Sequence, residues 1–241
     1  MRLSIIIPAF NEAGYIGRCL DSISAAIESG PLPSAAVEVI VVDNNSTDTT
    51  AAIARQHGTT VLFEPVNQIS RARNTGARAA DGEWLVFLDA DTQLTPALWA
   101  DMIDCIESGQ YAGGGSVFSW DRCPWYLKVP TTLVNLIVRC LRLPPGAFIF
   151  CRRDVFQEIG GFNEALYALE DRHIGVAMKR WANSHGMRTA ILHRHPPTTS
   201  SRKLFLYSPA ELAALVLRML LLPYRTSRDP ERLRVFYDGR R

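Results

Sequence analysis

Two carboxylates, Asp89 and Asp91, stand one residue apart directly after the uninterrupted apolar run Trp84–Leu88. Such a run is typical of a strand buried on both faces within a parallel sheet. Ligands of open α/β sheets bind beyond the carboxyl ends of the strands, so both side chains are expected at the mouth of a crevice. Because neighbouring carboxylates repel each other, Mg²⁺ or Mn²⁺ with a phosphate-bearing substrate is the chemistry they favour. The alternative is a turn that caps the helix predicted near Pro96.

The elements that must position these carboxylates alternate along the chain as far as Leu88. Strands that alternate with helices form βαβ units, so a mainly parallel α/β sheet is expected. The patterns predict strands at Leu3–Ile7, Val37–Val42, Thr60–Phe63 and Trp84–Leu88, and helices over Asn11 to about Glu28, Thr47 to about His57 and Ser70–Ala80, with Ser46 or Thr47 as the second N-cap.

The composition excludes several classes of protein. With 241 residues, 47% hydrophobic and 21% charged, the chain can form one α/β domain with a substantial core. A formal net charge of +2 gives no concentrated basic face, so no nucleic-acid partner is expected. The five cysteines form no C-x-x-C pair, which favours free thiols in a reducing cytosol. The first apolar run is too short for a signal peptide and no run reaches the ~20 residues of a membrane span, so a cytoplasmic location is expected.

Other phosphate-binding motifs do not fit. The turn Pro8–Gly14 lacks the G-x-G-x-x-G of dinucleotide-binding sheets, and no P-loop sequence occurs. The D-x-D-x-[TV] motif of haloacid-dehalogenase-type phosphatases is disfavoured, because Gln93 holds the fifth position and the motif follows the fourth strand.

Four motifs in the first hundred residues occur in a recognisable order, and three more follow. Together they resemble the family 2 glycosyltransferases of the GT-A fold over about residues 3 to 202. The motifs are Ser4–Glu12, Val41–Asp48, Arg71–Ala77 and Phe87–Thr92, followed by Gly146–Arg153, Gly160–Glu164 and Leu169–Asp171. The resemblance implies an α/β fold of GT-A type: a mainly parallel nucleotide-binding sheet flanked by helices, with an acceptor-binding second half.

The same resemblance implies how the chain is divided. One GT-A domain over residues 1–241 is expected, with a nucleotide-sugar-binding half over about 1–95 and an acceptor half over about 96–205. A C-terminal helix and a basic tail would occupy 206–241.

By resemblance, the implied function is metal-dependent transfer of one sugar from a nucleotide-diphosphate sugar. Asp91 would be the direct ligand of Mg²⁺ or Mn²⁺, and Asp89 would reach the ribose or a metal-bound water. A metal there would neutralise the charge that develops on the leaving phosphate. One or two carboxylates completed by phosphates and waters is normal Mg²⁺ ligation.

Residues at the ends of the first two strands are candidate contacts of the nucleotide. Asp43 lies where the family binds the nucleobase, and a carboxylate that accepts a base N–H would favour a UDP- or GDP-linked sugar. The alternative for Asp43 is an Asx turn. Pro8, Phe10 and Glu12 would touch base and ribose by resemblance, although Glu12 would equally suit a helix N-terminus.

Two arginines of the third helix, Arg71 and Arg73, are candidate ligands of the diphosphate. A guanidinium binds such a group bidentately. A solvated helix face is the alternative for both residues.

A second acidic pair, Glu170-Asp171, opens a predicted helix. Inverting transfer needs a general base for the acceptor hydroxyl, and the family pattern assigns this role to Asp171, with Glu170 binding acceptor or orienting the base. The alternative is that both carboxylates only stabilise the helix N-terminus.

Two late histidines, His193 and His195, are further candidate metal ligands, or exposed loop residues. The polar segment Pro196–Lys203 is expected to be a loop that closes over substrate, with Arg202 and Lys203 meeting phosphates.

Two functional alternatives stay open at this stage. The Q-x-x-R-W motif of processive relatives is absent, which favours single transfers. A retaining transferase has the same fold and metal motif, and a catalytically silent sugar-nucleotide-binding scaffold would keep the donor site alone.

Two apolar stretches with scattered cations, Trp125–Leu143 and Ala210–Tyr224, resemble helices that lie on a bilayer. Core packing or a homodimer interface is the alternative. Membrane contact would place the protein at the inner membrane face, aided by the arginine-rich tail Arg225–Arg241, and would favour a lipid-linked acceptor.

Overall fold

The computed structural model describes residues 1–206, 211, 214, 218 and 223–233. Its strands are β1 Leu3–Ala9, β2 Val37–Asp43, β3 Thr60–Phe63, β4 Trp84–Leu88, β5 Thr92–Gln93, β6 Tyr111–Ser116, β7 Ser119–Trp120, β8 Phe148–Arg152, β9 Arg188–Leu192 and β10 Thr198–Thr199. Its helices are α1 Ile16–Glu28, α2 Thr50–Gln56, α3 Ile69–Ala79, α4 Pro96–Glu107, α5 Trp125–Leu141, α6 Arg153–Glu158, α7 Glu170–Ser184, α8 Lys203–Leu206 and α9 Pro223–Thr226, with 3₁₀ turns at Ser34–Ala36 and Pro230–Leu233.

Seven strands form the main sheet in the order β3-β2-β1-β4-β8-β6-β9. The pairs β1–β2, β2–β3, β1–β4 and β6–β9 are parallel, whereas β8 runs antiparallel between β4 and β6. The predicted mixed α/β fold with a mainly parallel sheet is therefore confirmed. Since β8 and β9 come from the predicted acceptor half, both halves share one sheet.

Helices cover both faces of this sheet because the central strands are apolar on both sides. Along β1, Ile5 and Ile7 belong to the core beneath α1 and α4, whereas Ile6 faces the core beneath α3, α6 and α7. Every residue of β1 and β4 is buried. Each fully buried large apolar side chain contributes about 1.5–3 kcal/mol, so these strands give the site a rigid base.

Two predicted helix starts were wrong, and both errors lie in loops near the carboxyl ends of the strands. Helix α1 begins at Ile16, and Asn11 lies outside it in the left-handed conformation (φ 53°), which a right-handed helix excludes. Helix α2 begins at Thr50 with Thr49 at its N-cap position. The side chain of Asp48 accepts the Thr50 N–H at 2.9 Å, so neither Ser46 nor Thr47 is the cap.

A small second sheet, in the order β5-β10-β7, lies next to the Asp-x-Asp turn. Thr198 and Thr199 of β10 pair with Gln93 and Thr92. The segment predicted as a loop over Pro196–Lys203 therefore contains a strand and the start of α8. Its backbone also reaches the turn directly, since the Ser200 N–H donates to the carbonyl of Asp91 at 3.2 Å.

The apolar stretch at Trp125 forms the predicted helix, α5, but none of its residues is buried. The core-packing alternative is therefore wrong for this helix. Most of the second stretch, Ala210–Tyr224, and the end of the basic tail lie outside the described residues. Within the described part of the chain, no helix is long and apolar enough to cross a bilayer.

Candidate active site

The Asp-x-Asp turn follows β4 at the carboxyl edge of the sheet, as predicted. Asp89 Oδ1 accepts a hydrogen bond from Arg73 Nη2 at 2.8 Å, and its backbone N–H donates to Ala147 O at 3.3 Å. The Thr92 N–H donates to Asp89 O at 2.9 Å and closes the turn. The helix that follows is capped by Thr95, whose hydroxyl accepts the Leu98 N–H at 3.1 Å. Neither aspartate is thus needed as a cap.

The side chain of Arg73 donates hydrogen bonds to one carboxylate of each acidic pair. Its side chain is only 1% exposed; Nη1 donates to Glu170 Oε1 at 3.0 Å, and Nη2 donates to Gly146 O at 2.9 Å as well as to Asp89. Burial lowers the pKa of Arg73, but the carboxylates of Asp89 and Glu170 outweigh it and raise that pKa, so the guanidinium stays charged. In this structure the Arg73 guanidinium donates to protein acceptors, and its role as a diphosphate ligand stays a prediction.

We expect Arg73→Met to lower the free energy of unfolding by about 3–5 kcal/mol, because it leaves buried carboxylates without their cation. Urea denaturation measures this loss. Arg78→Met is the matched control on the same helix: its side chain is 63% exposed, and we expect a loss below about 1 kcal/mol. Equal losses of unfolding free energy in the two variants would show that the buried cation stabilises the fold no more than an exposed one.

The second acidic pair begins α7, as predicted. Glu170 is buried, and its pKa is raised to about 7 by burial and by the neighbouring charge of Asp171, against the opposing effect of Arg73. Asp171 Oδ2 accepts the Gly146 N–H at 3.0 Å. Gly146 is thus bonded to both Arg73 and Asp171, which brings the base candidate close to the Asp89 side of the crevice.

The raised pKa of Glu170 predicts a pH dependence of stability. A carboxyl that binds its proton more tightly in the folded protein destabilises the fold as it ionises. Stability should therefore fall between the ordinary value of 4.5 and about 7, by about 1.4 kcal/mol for each unit of pKa difference. The difference in unfolding free energy between wild type and Glu170→Gln, measured from pH 4 to 8, checks this. A difference that does not change with pH would contradict it.

A second cluster contains Glu12, Asp91 and Arg202. Arg202 Nη2 donates to Glu12 Oε1 and lies 3.3 Å from Asp91 Oδ2, while its guanidinium lies 4.3 Å from the ring centre of Tyr15. Two carboxylates therefore converge on one cation beside the Asp-x-Asp turn. Arg202 Nε and Nη1 are buried and have no hydrogen-bond partner among the described residues.

These oxygens suit a divalent cation. Carboxylates are ligands that Mg²⁺ and Mn²⁺ prefer, and the position next to Asp91 already accommodates a positive charge. Within the described residues no group of three or more His, Cys, Asp or Glu forms a complete protein cage. A site of one or two carboxylates finished by phosphate oxygens and water needs no such cage.

The predicted nucleotide edge lies where β1 and β2 end. Pro8 is buried within β1 and Phe10 is half-buried just beyond it. Asp43 ends β2, and its Oδ1 accepts the Ser46 N–H at 3.0 Å. This oxygen therefore makes the hydrogen bond that the Asx-turn alternative requires. Asn11 ties the two strand ends together, because its N–H donates to Ser46 Oγ at 3.0 Å.

Arg71, His193 and His195 contact residues other than Asp89 and Asp91. Arg71 donates to Glu64 at 3.2 Å and to Glu164 at 3.1 Å. His195 Nδ1 lies 2.9 Å from Asp101 Oδ2 on α4, and His193 Nδ1 lies 3.3 Å from Ile191 O. The structure thus does not assemble these histidines with the aspartate pair into a ligand group, and their metal role stays a prediction.

Sequence reasoning missed residues that hold the crevice together. Glu64 is buried directly after β3 and accepts hydrogen bonds from Arg71 and Thr75. Asn74 on α3 exchanges hydrogen bonds with the backbone of Phe162, at 2.8 and 2.9 Å. The position of Glu64 at a strand end was a usable signal, whereas the partner of Asn74 lies 88 residues away and leaves no local pattern.

The mainly parallel sheet with helices on both faces has the architecture of the GT-A fold. Residues 4–160 match the family described as Glycosyl transferase family 2. The chain is 32% identical to glycosyltransferase AglE of Haloferax volcanii over 184 residues, which cover 71% of this chain and 59% of AglE. This chain belongs to the family 2 glycosyltransferases, and it spans 59% of the length of that relative.

Solved structures of similar fold include two nucleotide-sugar complexes. One is S. aureus TarS with UDP-GlcNAc, at a TM-score of 0.67 and 21% identity, covering 99% of this chain and 71% of that chain. The other is the mannosyltransferase PcManGT of Pyrobaculum calidifontis with GDP-Man and Mn²⁺, at a TM-score of 0.66 and 21% identity, covering 99% of this chain and 68% of that chain. At this identity the likeness shows the fold.

Proposed function

We propose that this protein transfers one sugar, with inversion, from a nucleotide-diphosphate sugar to an acceptor hydroxyl in a metal-dependent reaction. The observation that carries the proposal is the meeting of two acidic pairs at the crevice. Arg73 is bonded to both Asp89 and Glu170, and Gly146 is bonded to both Arg73 and Asp171. A donor-side and an acceptor-side carboxylate are thus a few hydrogen bonds apart.

On the donor side, Asp91 would hold the metal ion, with Asp89 beside it. Bound there, Mg²⁺ or Mn²⁺ would act as a Lewis acid toward the leaving diphosphate. Arg202 is the residue of this chain best placed for the diphosphate itself, because its buried Nε and Nη1 are donors without a hydrogen-bond partner among the described residues. Arg71 and Arg73, by contrast, are engaged with carboxylates.

The nucleoside would lie across the ends of β1 and β2. Pro8 and Phe10 would contact the base, Asp43 would accept a base N–H, and Glu12 would contact the ribose. A uracil or guanine base suits this acceptor. The UDP-GlcNAc and GDP-Man complexes of TarS and PcManGT support a donor of the same kind.

On the acceptor side, Asp171 would take the proton of the attacking hydroxyl. The Gly146 N–H fixes its Oδ2, and a positioned base of this type contributes about 10²–10⁴-fold to the rate. Glu170, bonded to the opposite arm of Arg73, would orient this arrangement and help to bind the acceptor.

Thermal melting against a panel of UDP-, GDP- and other nucleotide sugars, with and without Mn²⁺, tests the donor site. A ligand that binds only the folded protein stabilises it by about 2.7 kcal/mol at one hundred times its dissociation constant. A Mn²⁺-dependent rise with one donor supports the proposal and identifies the nucleotide. No rise with any donor contradicts it, and binding without any sugar transfer favours the silent scaffold.

A further inference from the structure

Helix α5 directs two polar side chains toward the protein and exposes a row of apolar side chains to solvent. On the inner side, Thr131 Oγ1 accepts the indole N–H of Trp120 at 3.0 Å, and Asn135 Nδ2 donates to Phe118 O at 2.9 Å. These two residues are four apart and therefore lie on one face. Side-chain hydrogen bonds therefore attach this face of α5 to Trp120 and Phe118.

The outer side of α5 is a continuous apolar stripe. Val129, Leu133 and Leu136 follow the spacing of one helical face, and Trp125 lies on the same face one turn earlier. Trp125 is 82% exposed, Val129 76% and Leu133 56%. A contiguous exposed stripe of this kind marks a surface that is covered in the working state of the protein.

The charge around the stripe indicates what covers it. Residues 122–153 contain no Asp or Glu. Arg139 lies on the flank of α5 and also lines a cavity of about 610 Å³, together with Arg142, Arg188 and Arg194. None of these four arginines forms an ion pair among the described residues, although Asp101 and Asp104 line the same cavity.

We infer that α5 docks on an anionic lipid bilayer, with its apolar stripe at the boundary between headgroups and acyl chains and the arginine cavity against the lipid phosphates. Interfacial helices combine such an apolar face with cations, and an anionic leaflet attracts clustered Lys and Arg. A second copy of this chain fits less well. A two-fold interface would bring the basic residues of both copies into one contact, where residues 122–153 offer no Asp or Glu to balance them.

This docking would place the bilayer beside the acceptor carboxylates. Leu141, at the end of α5, accepts a hydrogen bond from Lys179 of α7 at 2.8 Å, and the loop that follows contains Gly146, which is bonded to Asp171. The acceptor would then be lipid-linked. That last step rests on the proposed function, whereas the docking itself does not.

Co-sedimentation with vesicles of phosphatidylcholine, with and without phosphatidylglycerol, tests the docking. We expect anionic vesicles to bind the protein at least about tenfold more tightly, since each basic residue near such a surface adds to the attraction. Val129→Glu/Leu133→Glu should lose binding to both vesicles, and Arg139→Gln/Arg142→Gln should lose the preference for the anionic lipid. Phe63→Glu, at a 61% exposed position on β3, is the control and should bind like wild type.

Two outcomes would overturn the inference. One is equal binding of wild type and Val129→Glu/Leu133→Glu. The other is that the wild-type protein does not bind vesicles. In that case, a wild-type dimer in light scattering that Val129→Glu/Leu133→Glu dissociates would assign the stripe to a second copy. Unchanged melting curves establish that the variants fold. Asp171→Asn should keep vesicle binding, so a failure of sugar transfer and a failure of docking remain distinguishable.

Discussion

Asp171→Asn is expected to lower the rate of sugar transfer by about 10²–10⁴-fold while donor binding stays unchanged. The amide keeps the size of the side chain and an oxygen that can accept the Gly146 N–H, but it cannot take the proton of an acceptor hydroxyl. Release of nucleoside diphosphate, with a cell extract as the source of acceptor, measures the rate. The melting shift with donor measures binding separately.

Asp154→Asn provides the matched control for this prediction. Asp154 lies in the first turn of α6 as Asp171 lies in the first turn of α7, so both carboxylates favour a helix N-terminus. The carboxylate of Asp154 also accepts a hydrogen bond from Arg152, which lies away from the crevice. If the two variants lose activity equally, the role of Asp171 is the helix-stabilising one and the base lies elsewhere.

Asp91→Asn is expected to abolish the Mn²⁺-dependent part of donor binding. The amide contributes no charge to a metal site, and the neighbouring Arg202 would keep only Glu12 as its anionic partner in this cluster. The melting shift that wild type shows with donor and Mn²⁺ should fall to the shift seen without metal. Transfer activity should fall with it.

Asp104→Asn, at an exposed position on α4, is the control and should keep the full shift. A Mn²⁺-dependent shift that survives in Asp91→Asn would assign the metal to other residues. Asp89→Asn would then be the next variant, although its contact with Arg73 means that its stability must be measured alongside.

Two strands were predictable to the residue because their apolar runs are local. The bounds predicted for Trp84–Leu88 and Thr60–Phe63 are those of the structure. The exclusion of Asn11 from α1 was not predictable in the same way, since it depends on the left-handed conformation of that residue. Nothing in the apolar spacing reports a single residue of this kind.

The long-range polar contacts of the site lay beyond sequence reasoning. Arg73 was interpreted as a diphosphate ligand or a solvated residue, yet its partner Glu170 lies 97 residues away. A similar limit applies to β10, whose polar residues suggested a free loop. There, Thr92 donates to the hydroxyl of Thr199 at 3.1 Å, which satisfies both side chains in a buried position.

The antiparallel strand β8 has a consequence for how this protein is made. The edge of β4 that it covers is an uninterrupted apolar strand, and its partner begins 60 residues after β4 ends, at residue 148 against residue 88. At a synthesis rate of about 5–20 residues per second, β4 leaves the ribosome roughly 3–12 s before β8 can pair with it. An open edge of this kind can pair with other chains. Chains that stop before residue 148 would keep that edge and are expected to aggregate.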